Sequence, residues 1–110
     1  MSVIYTIEQL KERITPVAEK HGLRAVWVFG SYARDEATEN SDVDILVDKT
    51  RTELKGLLAM GGLYNDFCEA FEKSVDLITT GALEQESTRQ RTPWFVENIE
   101  KERVQIYEQR

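Results

Sequence analysis

Val26-Trp27-Val28-Phe29-Gly30-Ser31-Tyr32-Ala33-Arg34, with its sequel Ser41-Asp42-Val43-Asp44-Ile45-Leu46-Val47, is the stretch that decides how this chain reads. An apolar run ends in Gly-Ser, and after ten intervening residues a second apolar run opens on Asp-x-Asp. On a β-strand, residues i and i+2 leave the same face about 6.6 Å apart along the chain. Asp42 and Asp44 therefore present two carboxylates to one place, and oxygen ligands of this kind suit hard divalent cations.

Outward from that stretch, the pattern alternates strands with helices. Thr6 and Gln9 form a capping-box pair, and Ile7, Leu10, Ile14, Val17 and Ala18 recur at helical spacing up to His21-Gly22, where glycine suits a helix stop. Pro16 removes one backbone donor inside this helix, so a kink or short break is expected near Ile14. Residues 25–29 and 43–47 are short and rich in β-branched and aromatic side chains, the mark of strands. Between them, residues 31–36 read as a short helix and 37–41 as a polar loop. Residues 52–73 are helical in pattern but contain Gly61-Gly62, which divides them into 53–60 and 63–72. Residues 75–79 alternate as a strand, with Val75, Leu77 and Thr79 on one face and Asp76 and Ile78 on the other. A weak helical turn at 82–86, a mobile polar loop at 85–91, a helix over 94–101 begun by Thr92-Pro93, and a strand at 103–107 complete the reading. The order αβαβααβαβ predicts a small α/β (α+β) domain, a mixed sheet flanked by helices.

The chain has 110 residues, enough for one domain and one core but too few for a catalytic domain beside a separate substrate domain. Whatever it acts on is bound by this domain or brought by a partner. Acidic residues outnumber basic ones 20 to 14, for a formal net charge of −6. A phosphate backbone is repelled by such a surface, so no direct nucleic-acid binding is expected. Cys68 is the single cysteine, which excludes an internal disulfide or a thiolate metal cage. No apolar run approaches the roughly 18 residues of a membrane span, and no signal-peptide pattern is present. The expectation is a soluble cytoplasmic protein with no membrane role.

Glycine and serine at the end of a strand let backbone N–H groups and a hydroxyl approach phosphate oxygens, because glycine has no Cβ to obstruct them. Arg34 adds a charge-assisted contact to the same phosphates, or else a surface ion pair with Asp35 or Glu36. The motif gains specificity from Asp42 and Asp44, whose cations can bridge the oxygens of a triphosphate. If the strand of Asp76 lies beside that of Asp44, the three carboxylates suit two Mg²⁺ ions about 3.5–4 Å apart.

Gly-Ser-x10-Asp-x-Asp with a later lone Asp on a strand resembles the signature of the DNA polymerase β-like nucleotidyltransferases. Phe29-Gly-Ser-Tyr-Ala-Arg34, Ser41-Asp-Val-Asp-Ile-Leu-Val47, Ser74-Val-Asp-Leu-Ile78 and Ile99-Glu-Lys-Glu-Arg-Val-Gln-Ile-Tyr107 resemble its smallest branch, the minimal nucleotidyltransferases (MNT proteins), which include MntA-like antitoxins paired with HEPN toxins. The resemblance implies that Asp42 and Asp44 ligate both metals, that Asp76 ligates the catalytic metal and helps activate the acceptor, and that Gly30 and Ser31 hold the phosphates. It implies Mg²⁺-dependent transfer of AMP from ATP to a side-chain hydroxyl of a partner, a HEPN-type toxin. Asp35 departs from the branch, which commonly has glycine there. Asp tolerates left-handed backbone, so the fold is expected to survive, but the added charge near the phosphates is expected to weaken nucleotide binding.

Two further readings remain open at this stage. One is a binding antitoxin of the same fold that covers its partner without catalysis; the other is a small-molecule nucleotidyltransferase working with a second subunit. Among single residues, Ser41 reads as a turn-shaping residue, and His21, with no metal-ligand spacing around it, as structural. Cys68, Trp27 and Phe29 read as core. Trp94 and Phe95 read equally as core or as an anchor facing a partner.

Overall fold

Thr6 opens the fold, and its side chain accepts from the Gln9 N–H at 3.1 Å while the Gln9 side chain accepts from the Thr6 N–H at 2.9 Å. From this capping box, α1 (Ile7–His21) runs in a computed structural model that describes residues 4–49, 56–85 and 90–109. Gly22, at φ 66°, closes the helix in the left-handed region. No break occurs at Pro16, which is exposed, so the lost backbone donor faces water rather than the core.

The strands β1 (Ala25–Phe29) and β2 (Val43–Asp48) pair antiparallel, with Ala25 opposite Asp48 and Phe29 opposite Asp44. A second helix, α2 (Gly56–Phe71), leads to β3 (Val75–Thr79), which lies parallel to β2 with Asp44 beside Asp76. Two short helices follow, α3 (Thr80–Glu84) and α4 (Pro93–Glu102), and then β4 (Val104–Glu108), antiparallel to β1 with a bulge between Val26 and Trp27. The sheet is mixed, in the order β3-β2-β1-β4.

The expected division of α2 at Gly61-Gly62 does not occur. Both glycines are exposed, with nothing within 4 Å of where a Cβ would stand, and the helix passes through them. Each costs about 1 kcal/mol of helix propensity. That cost is outweighed by the stripe Leu63, Phe67 and Phe71, all fully buried, since each buried side chain of this size contributes about 1.5–3 kcal/mol. Residues 53–55 of the expected first piece lie outside the described residues, as do residues 86–89 of the expected mobile loop; residues 90 and 91 are helical.

Strand alternation sends apolar side chains to both faces of the sheet. Val26, Val28, Val43, Ile45, Val47 and Val75 meet α1 and α2 in the larger core, with Ile106 closing it and Cys68 packed at its edge. Phe29 and Leu46 meet Leu83 of α3 and Val96 and Ile99 of α4 in a smaller one, with Trp27 partly buried against it. Asp44 has the same parity as Leu46 on β2, so its carboxylate belongs to the α3–α4 face. Among the described residues no helix is long and apolar enough to cross a membrane.

Candidate active site

Gly30 follows β1 at φ 71°, a left-handed conformation that glycine adopts without strain. A second demand comes from its neighbour across the sheet: a Cβ on Gly30 would overlap Asp44 Oδ2 and lie 3.0 Å from Asp44 Cγ. The chain then turns sharply. The Gly30 carbonyl accepts from the Arg34 N–H at 3.1 Å, and the Ser31 carbonyl accepts from the Glu36 N–H at 2.8 Å. The helix expected over 31–36 is therefore only a turn, and Asp35, at φ 60°, is what ends it. Asp35 takes the left-handed conformation for which the resemblance expects glycine, as a short polar side chain can.

This turn, the opposed strand ends and α4 enclose a cleft of about 190 Å³ lined by Phe29, Gly30, Arg34, Asp44, Asp76, Phe95, Asn98, Ile99 and Glu102. Asp44 and Asp76 meet there because β2 and β3 are parallel neighbours in matching register. Asp44 is half-buried and Asp76 exposed. Asp42 and Ser31 do not line the cleft; Asp42 is exposed and borders a shallower hollow with Ser41, Lys73 and Ser74.

The carboxyl of Asp44 is pushed up to about 6. Burial is the main cause, the charges of Asp76 and Asp42 add to it, and Arg34 partly opposes it. The charges of Asp76 and Asp42 thus bear on the half-buried Asp44. Among the described residues, no three acidic, histidine or cysteine side chains are gathered around a single point at ligand distance. The donor set nevertheless fits a hard cation: all oxygen, adjacent in register, and with a half-buried carboxylate that positive charge would relieve.

Arg34 lines the cleft but is held by acids, its Nε donating to Glu36 Oε2 at 3.0 Å and its Nη1 to Glu102 Oε2 at 2.9 Å. Hydrogen bonds to Glu36 and then Glu102 push the guanidinium above its ordinary range. Sequence reading missed the far wall of the cleft, Phe95, Asn98, Ile99 and Glu102. Their spacing of 3, 1 and 3 marks a single helix face, yet which side of the sheet that helix covers is not written in its period. Trp94 is 63 % exposed and edge-on to Phe95 at 6.1 Å, and Phe95 in turn meets Phe29 edge-on at 6.5 Å. Phe95 belongs to the wall, and Trp94 stands outside it.

A glycine-turned strand end, an Asp-x-Asp strand beside it and a third aspartate in register on the next strand define a nucleotidyltransferase. The chain belongs to the polymerase β nucleotidyltransferase family, whose family model, described as "Polymerase beta, Nucleotidyltransferase", matches residues 12–110. It is 40% identical over 77 residues, 70% of this chain and 81% of the relative, to MJ0435 of Methanocaldococcus jannaschii, provisionally named a protein adenylyltransferase. Protein adenylyltransferase MntA of Thermococcus cleftensis is 49% identical over 47 residues, 39% of this chain and 48% of the relative. Among solved structures, one described provisionally as a minimal nucleotidyltransferase superposes with a TM-score of 0.64 at 29% identity, covering 91% of this chain and 95% of that chain. A toxin–antitoxin structure with AMP-PNP superposes with a TM-score of 0.66 at 22% identity, covering 91% and 74%, a likeness of fold.

Proposed function

We propose that this nucleotidyltransferase is a protein adenylyltransferase of the cytoplasm that moves AMP from ATP to a hydroxyl of a partner protein, a HEPN-type toxin, and so acts as its antitoxin. The observation that carries the reading is the pairing of Asp44 with Asp76 in one cleft against the Gly30 turn. Support for a protein acceptor comes from the names of the relatives.

In this reading Asp42, Asp44 and Asp76 hold two Mg²⁺ ions, with Asp42 turning in from the rim. Bound magnesium supplies charge neutralisation on the triphosphate and lowers the pKa of the attacking hydroxyl. Gly30, which has no Cβ, offers the phosphates its backbone, Ser31 offers its hydroxyl, and Arg34 offers a guanidinium on the cleft wall. Asp76, exposed on the outer strand, would on this reading help activate the incoming protein hydroxyl by accepting its proton. The acceptor oxygen bonds to the α-phosphorus as the bond to the pyrophosphate oxygen breaks, so the protein's part is positioning and charge stabilisation.

The test incubates the protein, Mg²⁺ and α-labelled ATP with the protein encoded beside it. Label on that partner, absent with Asp44→Asn or Asp76→Asn although both variants stay folded, is the expected result. Neutralisation of the partner by those variants as fully as by the native chain would sink the catalytic reading.

A further inference from the structure

Arg34 is the basic side chain among the described residues lining the cleft, and its fork is divided between two acids of different standing. Glu36 lies two residues on in the same turn and does not line the cleft, whereas Glu102 lines it from the opposite wall. We propose that Glu102 is a positioning residue that competes with the nucleotide's phosphates for Arg34, so that nucleotide entry exchanges one anion for another on the same guanidinium. The inference deepens the functional reading above and rests on it.

Three observations carry it. A carboxylate and a phosphate oxygen are interchangeable partners for a guanidinium, so Glu102 Oε2, 2.9 Å from Arg34 Nη1, already fills a phosphate's place. The pair is open to exchange: the Arg34 side chain is 42% exposed and that of Glu102 28%, and ion pairs in such surroundings are weak. Finally, Glu102 stands in the last turn of α4, where the negative end of the helix dipole disfavours a carboxylate. Arg34 offsets that disadvantage, and losing Arg34 to a phosphate leaves Glu102 uncompensated beside incoming negative charge. Asp44 and Asp76 can be neutralised by cations that arrive with the nucleotide, but Glu102, across the cleft, keeps its charge.

Calorimetric titration of the whole chain with Mg²⁺ and a non-hydrolysable ATP analogue tests the exchange. Glu102→Gln is expected to tighten binding about fivefold, the effect of releasing Arg34 from one exposed ion pair. Glu100→Gln, which removes an exposed charge from the same helix away from the cleft, is expected to change affinity little. In an Arg34→Gln background the gain from Glu102→Gln is expected to fall below about twofold, because the contested guanidinium is gone. In transfer assays the change falls on KM for ATP rather than on kcat. Equal or weaker binding by Glu102→Gln, or a gain undiminished in the Arg34→Gln background, overturns this inference alone. No nucleotide binding by the native chain overturns the functional reading and the exchange with it.

Discussion

Gly30 is bare because Asp44 occupies the space its side chain would need: a Cβ there would overlap Asp44 Oδ2. The two residues lie on neighbouring strands, Gly30 just past the Phe29–Asp44 pair. Gly30→Ala should therefore fail twice, through strain at φ 71° and through displacement of the carboxylate. A stability loss of about 1–3 kcal/mol in urea titration is expected, with nucleotidyl transfer lost at temperatures where the variant is still folded. Transfer at the native rate would show that the Asp44 carboxylate has no fixed place.

Asp44→Asn should cost activity and yield stability. The folded carboxyl sits at about 6 against an ordinary value of 3.8, so between those values the folded state holds a proton that the unfolded chain has released. Stability contributed by Asp44 is full below 3.8 and is lost as pH rises through about 6. The native chain should thus melt below Asp44→Asn at about pH 7.5, and the gap should close towards about pH 4. Thermal unfolding across that range, without divalent cation, checks the sign.

Gly61→Ala and Gly62→Ala should each stabilise the fold. Both positions are helical, exposed and unobstructed, so alanine gains helix propensity of about 0.4–1 kcal/mol with no clash. A rise in the denaturant midpoint with unchanged m-value is the expected readout.

Trp94→Ala should leave melting nearly unchanged, within about 0.5 kcal/mol, because a side chain 63 % exposed buries little. Affinity for the partner protein should fall, since an exposed tryptophan beside an enzyme cleft is a typical interface anchor. Unaltered affinity in a direct binding measurement would remove α4 from the docking surface.

What the sequence made legible follows from local chemistry. Strands 25–29 and 75–79 were readable residue for residue, because one β-branched run closes at Gly30 and the other opens after Ser74. The capping box of Thr6 and Gln9 marked the start of α1. Asp44 and Asp76 could be named in advance, but their adjacency depended on a parallel register that only the folded sheet supplies. Gly61-Gly62 misled because propensity is local while the burial of Phe67 and Phe71 is tertiary. The turn after Ser31 was shortened by Asp35, whose left-handed backbone is permitted by its residue type but not required by it. Glu102 was invisible for the same reason as the whole α4 wall: its partner, Arg34, is 68 positions away.

The bulged pairing of β4 with β1 also sets an order of events during synthesis. β1 emerges from the ribosome early, yet one of its two neighbours is Val104–Glu108, some eighty residues further along the chain. α4 runs directly into β4, so the wall that faces the two aspartates and the strand that completes the sheet are continuous in the chain. A nascent chain stalled before Val104 would therefore leave β1 with one of its two ladders unmade.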